Sequence, residues 1–180
     1  MGEFTHRLAR LDDLGAIREL MREAIEKLQI GFLDPAEVRA SHRVMGLDTQ
    51  LIRDGTYLLA LDGETIAGSG GWSFRATLYG GEASIVARMP EMLDPATDAA
   101  RIRAMYTNPD YARRGVGRFL LALCEAAARS NGFHRAEMMA TLAGEPLYRA
   151  CDYLPIERVM SEPIDGVRVP LIRMRKELQE

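Results

Sequence analysis

The sequence predicts a mixed α/β fold with a mostly antiparallel central sheet flanked by helices. Two predicted helices come first, and a β-hairpin follows them. Later there is one strand–helix–strand unit, and the remaining strands are joined by short turns. A doubly wound parallel sheet would repeat that unit along the chain, so the hairpins favour a mixed sheet. No linker divides the chain, and we expect residues 1–180 to form one domain.

The composition is that of a protein with its own apolar core. Apolar residues make up 47% of the chain, and the formal net charge is −3, with acidic and basic residues interspersed. This argues against nucleic acid or an acidic membrane as the main partner. The two cysteines lack CxxC or zinc-ligand spacing, no secretory segment follows Met1, and no apolar run reaches the roughly 18 residues of a membrane span. We therefore expect a cytoplasmic protein without a bound metal.

Two amphipathic helices are predicted in the first quarter of the chain. Apolar residues recur at three- and four-residue steps over 14–28, directly after Asp13, whose charge suits the positive end of a helix. A second helix is predicted to begin at Asp34, with Glu37 completing a capping box and a proline in the first turn. It is expected to end near Gly46.

Strands dominate the next part of the chain. The runs TYLLAL and TIAGSGGWSF are joined by Asp62-Gly63 and predict a hairpin with a two-residue turn. Residues 77–100 lack periodicity and contain Gly80-Gly81 and the separate prolines Pro90 and Pro95, so we expect a functional or mobile loop there. The run ARIRAMYT directly after it predicts a strand.

The second half alternates strands and helices. A helix is predicted over 117–129, with a stop at Asn131-Gly132. FHRAEMMA then predicts a strand, and 145–150 a short helix opened by a proline. YLPIERVM and VRVPLIRM predict two final strands joined across an Asp-Gly turn.

The segment AMYTNPDYARRGVGRFLL predicts where an anionic ligand binds. In it a strand ends, a short turn follows, and Gly115 and Gly117 open a helix. A helix start carries free N–H groups and a positive dipole, which favour phosphate, and glycine lets the backbone approach closely. Three arginines around this turn can bind phosphate oxygens through paired hydrogen bonds: Arg113, Arg114 and Arg118. The segment therefore predicts a diphosphate site.

Two other interpretations of this turn stay open. The glycines could serve only a tight connection, with the arginines solvated at the surface. The turn also shares features with a dinucleotide-binding fingerprint, because GVG follows a strand and Glu137 lies near the expected acidic position. However, Leu120 stands where the third glycine belongs, and the segment comes late in the chain.

The same residues resemble the signature of a known family. The run RRGVG at 113–117 is similar to the (Q/R)xxGx(G/A) signature of the GCN5-related N-acetyltransferases, the GNAT family. The later run GEPLYRACDYLP resembles the family's stretch in which a tyrosine precedes a glycine–aromatic pair, with Asp152 in place of the glycine. Nearly the whole chain resembles the family in element order. This resemblance implies a single-domain GNAT-like fold whose sheet is splayed between the strands around the motif helix, 102–107 and 134–140.

The resemblance also implies an N-acetyltransferase that takes its acyl group from acetyl-coenzyme A. The backbone at 113–118 would hold the diphosphate of coenzyme A, the strand before it would pair with the pantetheine arm, and one threonine would stand near the mouth of the gap. The residues implied to bind the cosubstrate are Met105, Tyr106, Thr107, Arg113, Arg114, Gly115, Val116, Gly117, Arg118 and Thr141.

Catalysis in this family implies direct attack of a neutral amine on the thioester. Tyr148 is implied to be the acid that protonates the departing thiolate, and a backbone N–H near Met105 is implied to stabilise the oxyanion. The sequence identifies no general base. Four candidates are better explained as solvated or structural residues: Glu82, Asp98, His134 and Glu137.

The sequence leaves the amine acceptor open, whether a small molecule or a peptide. The aromatic residues Trp72, Phe74 and Tyr79 are core residues or walls of an acceptor pocket, and His42 lies in a region that often borders it. A route through Cys151 as a nucleophile is a minor hypothesis, because both cysteines resemble small buried apolar residues.

Two functions from other classes stay open. One is a non-catalytic module that binds or senses acyl-coenzyme A, since no base is assigned. The other is an interaction partner that acts through the insert 77–100. Dimers are frequent in the family, so the resemblance also admits a homodimer.

Overall fold

Seven strands form one sheet in the computed structural model, which describes residues 3–178. The strands are β1 (Thr5–Leu8), β2 (Tyr57–Asp62), β3 (Thr65–Ser73), β4 (Ala100–Thr107), β5 (Arg135–Thr141), β6 (Leu154–Met160) and β7 (Pro170–Glu177). Their order across the sheet is β1-β2-β3-β4-β5-β7-β6, and every neighbouring pair is antiparallel except β4 and β5. The predicted mixed, mostly antiparallel sheet is confirmed.

Five α-helices flank the sheet. They are α1 (Leu14–Leu28), α2 (Pro35–Val44), α3 (Thr49–Arg53), α4 (Val116–Ser130) and α5 (Glu145–Arg149). Alternate residues of β2 point to opposite faces, as in any strand. Tyr57 and Leu59 pack in a cluster with Ile17 of α1, whereas Ala60 packs in a cluster with Leu120 of α4. The helices α1 and α4 therefore cover opposite faces. No helix within 3–178 is long and apolar enough to cross a membrane.

Most elements occur where the sequence predicts them. Helix α2 has the predicted capping box, in which Asp34 accepts from the N–H of Glu37 and the Glu37 carboxylate accepts in return. The hairpin turn lies one residue later than predicted, because Asp62 still pairs with Thr65. Strand β1 and helix α3 were not predicted. Both are short, and burial against the rest of the fold stabilises α3 more than its sequence pattern does.

A β-bulge distorts the centre of β4. Between two regular pairs of β3 and β4, the residues Ala104 and Met105 stand opposite the single residue Gly70. Ala104 has a φ of +52°, a left-handed conformation that is uncommon for a residue with a Cβ atom. Such a bulge bends the strand that carries it and increases its twist.

Beyond the first residues of β4 and β5, the sheet opens. Ala100 pairs with Ala136 and Arg101 with Glu137, and the two strands share no further pair. Strand β5 instead pairs along its whole length with β7. The remainder of β4, from Ile102 onward, consequently has an open edge toward β5, and the predicted splay between these strands is confirmed.

Helix α4 lies very close to β3 because β3 is rich in glycine. A Cβ atom added to Gly68 would lie 2.5 Å from the Val116 side chain and 2.9 Å from the carbonyl oxygen of Tyr106. A Cβ atom at Gly70 would collide with Met105. The glycines therefore set the depth at which the start of α4 docks on the sheet.

We predict that Gly68→Ala lowers the free energy of unfolding by about 1–3 kcal/mol, because the new methyl group has no room between β4 and α4. Urea denaturation monitored by circular dichroism measures this change. Gly15→Ala is the matched control, since a Cβ atom there meets nothing within 4 Å. Its position in α1 should make it neutral or stabilising by about 0.5 kcal/mol. Equal stability of the two variants would contradict the close packing of α4.

Candidate functional site

Two cavities meet in the gap between β4 and β5. The larger has a volume of about 650 Å³ and extends along the start of α4, and the smaller has a volume of about 80 Å³ and lies beneath the insert. Five residues line both: Met45, Met105, Tyr106, Thr141 and Tyr148. The gap in the sheet thus connects a long cavity with a small one.

The structure brings together ten of the eleven residues predicted for the site. Those that line the larger cavity are Met105, Tyr106, Thr107, Arg113, Gly115, Val116, Gly117, Arg118, Thr141 and Tyr148. Arg114 does not line it. Its guanidinium carbon lies 4.5 Å from the centre of the Tyr111 ring, and its terminal nitrogen is 4.0 Å from the carboxylate of Asp62. The Arg114 side chain thus packs on Tyr111, which lines the larger cavity, without lining that cavity itself.

The backbone conformation of the turn before α4 places the start of the helix at the larger cavity. Gly115 is the N-cap of α4 and has a φ of +87°, which glycine adopts without the steric cost of a Cβ atom. Arg113 also has a positive φ, +61°. Gly117 lines the cavity, and a Cβ atom there would lie 2.5 Å from Leu147. These conformations leave the first N–H groups of the helix at the cavity wall, where its dipole is positive.

Tyr148 lies where the two cavities join. It is on α5, its side chain is 8% exposed, and its ring packs edge-on against Tyr153 at 6.2 Å between centres. A Cβ atom at Gly144 would lie 2.8 Å from the Tyr148 ring, so this side of the ring is tightly packed. Burial raises the pKa of Tyr148 above its usual value. The phenol is therefore protonated at neutral pH and can serve as a proton donor.

The departure at Asp152 is accommodated by the backbone. Asp152 has a φ of +69°, the left-handed conformation that glycine favours and that aspartate tolerates better than most residues. The turn is closed by the N–H of Tyr153, which donates to the carbonyl of Tyr148 at 3.0 Å. The aspartate thus adopts the conformation expected of the glycine it replaces, and Tyr148 keeps its position in the gap.

A buried ion pair supports the smaller cavity. Arg103 of β4 is 3% exposed and donates to the carboxylate of Asp48 at 3.1 Å. It also donates to the carbonyls of Thr77, at 3.1 Å, and of Gly80, at 2.7 Å. Asp48 in addition accepts from Arg88 at 2.8 Å. One arginine therefore ties the start of the insert to β4 and to the loop before α3.

The insert is itself packed against that loop. A Cβ atom at Gly81 would lie 2.5 Å from the carbonyl oxygen of Leu47, and the N–H of Glu82 donates to the same oxygen at 3.3 Å. Leu78, Tyr79 and Gly80 line the smaller cavity as a result. The first part of the insert is thus a fixed wall of this cavity.

The aromatic residues at the end of β3 and in the insert lie in two environments, the core and the wall of the smaller cavity. Trp72 is buried and makes edge-on contacts with Phe74 and Phe133, so it belongs to the core. Tyr79 lines the smaller cavity. His42 does not line either cavity and lies 3.8 Å from Glu26.

The four residues considered as a general base line neither cavity: Glu82, Asp98, His134 and Glu137. Glu137 is bound by Arg101, Arg173 and Arg175. Burial alone would raise the pKa of Glu137, but the hydrogen bonds from Arg173 and Arg175 outweigh burial and keep the pKa below its usual value. The remaining three residues do not reach the gap: Glu82 bonds to Thr49, Asp98 to the N–H of Asp94, and His134 is exposed.

Both cysteines are buried, free thiols. Burial raises the pKa of Cys124 to about 12 and also raises that of Cys151. Since a thiol acts as a nucleophile in its thiolate form, neither environment activates it. Neither cysteine lines a cavity.

Sequence reasoning missed Arg103 and Asp48. A signal was present, because Arg103 stands in a strand among apolar residues, and a buried charge requires a partner. The sequence gives no means of choosing that partner, since Asp48 is 55 residues away and pairs with it only in the fold.

Comparisons with known proteins agree with this fold. The model of the acetyltransferase (GNAT) family matches residues 17–153. A GCN5-related N-acetyltransferase from Rhodopseudomonas palustris is 17% identical, with a TM-score of 0.70 over 99% of this chain and 98% of that one. No curated protein sequence matches the chain.

Two further solved structures share the fold. One, from Salmonella typhimurium, was solved with its cofactor acetyl-CoA; it is 17% identical, with a TM-score of 0.64 over 98% of this chain and 95% of that one. The other is a ribosomal-protein-alanine N-acetyltransferase from Brucella melitensis, 20% identical, with a TM-score of 0.64 over 97% of this chain and 99% of that one.

We predict that Asp48→Asn lowers the free energy of unfolding by about 3 kcal/mol, because it leaves the buried charge of Arg103 without a counter-charge. The substitution keeps the shape of the side chain and an oxygen that can cap α3. Arg88→Gln is the control, since it removes the half-exposed partner of the same carboxylate and should cost less than about 1 kcal/mol. Chemical denaturation compares the two, and a larger loss for Arg88→Gln would contradict the assigned pairing.

Proposed function

We propose that this chain, which belongs to the acetyltransferase (GNAT) family, transfers an acetyl group from acetyl-coenzyme A to a primary amine by direct attack of that amine on the thioester. Family membership makes the chain an acyltransferase; the amine acceptor and the assignment of residues are the proposal. The observation that carries it is the gap between β4 and β5, where a long cavity meets a small one beside Tyr148.

The larger cavity fits the cosubstrate in size and charge. Its volume of about 650 Å³ is within the usual range of ligand sites. The helix start and the side chains of Arg113 and Arg118 give one end a positive character that suits a diphosphate. Arg118 also donates to the carbonyl of Ala150 at 3.2 Å, which holds its side chain beside the cavity. The Salmonella typhimurium structure, with acetyl-CoA bound, has the same fold.

The open edge of β4 suits the pantetheine arm. Met105 lies in the bulge, Tyr106 and Thr107 follow it, and none of the three has a strand partner in β5. The amide groups of pantetheine can form hydrogen bonds with such an edge, as an added strand does. Thr141 is at the end of β5, across the gap. In this proposal the arm lies between the two strands and brings the thioester to Tyr148.

The chemistry forms one C–N bond, breaks one C–S bond and moves one proton from nitrogen to sulfur in two transfers through Tyr148. The amine nitrogen attacks the carbonyl carbon, a C–N bond forms, the C–S bond breaks, and the products are an amide and free coenzyme A. Tyr148 gives its proton to the departing sulfur, and the proton released by the nitrogen restores the phenol. A backbone N–H near Met105, on the open edge of β4, stabilises the charge on the carbonyl oxygen.

Three wider expectations belong to this proposal. Residues 1–180 act as one acetyltransferase domain, the protein is cytoplasmic, and the family admits a homodimer. The continuous sheet through which the described residues are connected supports the first expectation. The free state of both cysteines fits a reducing compartment. The third is an expectation from the family alone.

We predict that Tyr148→Phe lowers kcat by about a hundredfold or more, because general acid assistance of the thiolate is lost. The dissociation constant of acetyl-coenzyme A should change less than threefold, since the ring remains. Coenzyme A release measures the rate, and calorimetry measures binding.

Tyr153→Phe is the matched control for this change. It removes a buried hydroxyl from the neighbouring ring, which lines neither cavity. Turnover by Tyr148→Phe equal to that of Tyr153→Phe would remove Tyr148 from the proposed mechanism. Tight binding of acetyl-coenzyme A without transfer to any amine would instead favour a non-catalytic module.

We predict that Arg113→Ala and Arg118→Ala each weaken acetyl-coenzyme A binding about tenfold or more, because each removes a charge-assisted hydrogen bond to phosphate. Arg114→Ala removes the same charge from the same turn, but from a side chain that packs on Tyr111. Its effect on the dissociation constant of acetyl-coenzyme A should stay below about threefold, and added salt should reduce this effect further. Calorimetric titration with acetyl-coenzyme A gives the dissociation constant of each variant. Equal losses of affinity in all three would contradict the assignment of Arg113 and Arg118, rather than Arg114, to the diphosphate.

A further inference from the structure

We propose that a strip of arginines beside the smaller cavity is a docking site for acidic side chains of a polypeptide acceptor. This arginine strip consists of Arg101, Arg173 and Arg175, which converge on the buried carboxylate of Glu137. The inference rests on the proposed function, and it adds a second point of recognition outside the gap, away from the reacting atoms. Its basis is the placement, the remaining donors and the charge of the strip.

The arginine strip lies on a part of the sheet that α4 does not cover. Met174 of β7 packs in a cluster with Leu121 of α4. Because neighbouring residues of a strand point to opposite faces, Arg173 and Arg175, on either side of Met174, point away from α4. Their side chains are 35% and 43% exposed. A partner can therefore reach both arginines from solvent.

The arginine strip begins directly beside the smaller cavity. Met139 and Leu171 line that cavity, and Arg173 is the cross-strand partner of Met139. Two residues of an extended strand span roughly 7 Å, so Arg173 lies about that far beyond Leu171, and Arg175 about twice as far. An extended acceptor chain that leaves the cavity covers this distance with two to four residues. The carboxylates of a free amino acid lie within about 5 Å of its amine and are too close to it to reach the strip.

Glu137 holds the three guanidinium groups in place. Its side chain is 2% exposed, and it accepts from Arg101 at 3.0 Å, from Arg173 at 2.6 Å and from Arg175 at 2.8 Å. Arg173 and Arg175 each bind it through Nε and one terminal nitrogen. The other terminal nitrogen of each takes no part in these bonds. A guanidinium group that is already fixed can bind a second carboxylate with little further loss of side-chain entropy.

Nearby carboxylates do not neutralise the arginine strip. Glu137 supplies one negative charge against three positive charges. Glu157, the cross-strand partner of Arg173 on β6, supplies a second. Two further acidic residues come at the end of the strip that is remote from the cavity, since Glu177 ends β7 and Asp98 precedes β4. The part of the strip nearest the cavity therefore keeps an excess of positive charge.

The wall of the smaller cavity adds charge of the same sign. Arg103 lines the cavity and shares the carboxylate of Asp48 with Arg88. Together with the arginine strip, five guanidinium groups stand against the carboxylates of Glu137, Glu157 and Asp48. The chain as a whole has a formal net charge of −3. A local charge opposite in sign to that of the whole chain attracts acidic partners and disfavours basic ones.

Two short peptides test the arginine strip on the wild-type protein. Both begin with a free alanine and carry one lysine six residues later; the third to fifth residues are glutamate in one peptide and glutamine in the other. These positions are two to four residues from either amine. We expect kcat/KM, measured by coenzyme A release, to be about tenfold higher for the glutamate peptide because its KM is lower. Sodium chloride at about 0.5 M should remove most of this difference.

Arg173→Gln and Arg175→Gln identify the residues responsible. Each variant leaves two arginines around Glu137, and glutamine can still donate to that carboxylate, so we expect both proteins to fold. Each should reduce the preference for the glutamate peptide to about threefold or less by raising its KM, with kcat unchanged. Arg129→Gln is the matched control, because it removes the same charge from an exposed side chain in the last turn of α4. The full preference should remain in this control.

The outcomes separate this inference from the proposed function. Equal kcat/KM for the two peptides, or an undiminished preference in both strip variants, would overturn the inference and leave the transferase intact. A preference for free glutamate over free glutamine that the peptides do not show would also overturn it, since it would assign a small acceptor.

Transfer to neither peptide would count against the proposed function, and binding would then decide on the arginine strip. Fluorescence anisotropy measures the binding of dye-labelled peptides to the protein in the presence of coenzyme A. Tighter binding of the glutamate peptide that Arg173→Gln and Arg175→Gln each weaken would support the docking site. Equal binding of the two peptides would overturn it.

Discussion

The separation of β4 from β5 is the constraint on which the rest of this structure depends. A sheet interior normally satisfies each backbone N–H and C=O through the neighbouring strand. Here only Ala100 and Arg101 of β4 pair with β5. The bulge at Ala104 and Met105 bends β4, and the full pairing of β5 with β7 holds the other side of the gap. An open edge inside a sheet is unstable as a void, and it is the natural place for a ligand that supplies the missing hydrogen bonds.

The two cavities in this gap are stabilised by different means. At the larger cavity, glycines in β3 let α4 dock closely, and Gly115 lets its first turn face the cavity. At the smaller cavity, a single buried arginine, Arg103, binds the insert and the loop before α3. Close backbone packing suits a ligand held by N–H groups, whereas the arginine fixes a loop that has no regular secondary structure. The wall of the larger cavity is therefore built around one contiguous turn, and that of the smaller cavity from contacts between distant segments.

This difference explains what the sequence could predict. The turn at 113–118 is contiguous, and its glycines and arginines have a physical meaning that can be read without the fold. The structure brings most of those residues to one cavity, although it directs the side chain of Arg114 toward Tyr111. The bulge was not predicted, because Ala104 is an ordinary residue whose left-handed conformation is imposed by its neighbours. The pairing of Arg103 with Asp48 could not be predicted either, because no periodicity in the sequence connects a strand with a loop 55 residues earlier.

Burial beside the gap has different consequences for an acid and for a base. Burial raises the pKa of the Tyr148 phenol, and in the proposed mechanism this keeps its proton available for a departing thiolate whose own pKa is near that of cysteine, roughly 8.5. A buried carboxylate would also gain basicity, but its charged form would require a cationic or hydrogen-bonding partner. The nearby Asp48 illustrates this requirement, because its burial is accompanied by two arginines that occupy its oxygens. A gap of this kind can hold a neutral acid at little cost, whereas a buried base would need charged partners of its own.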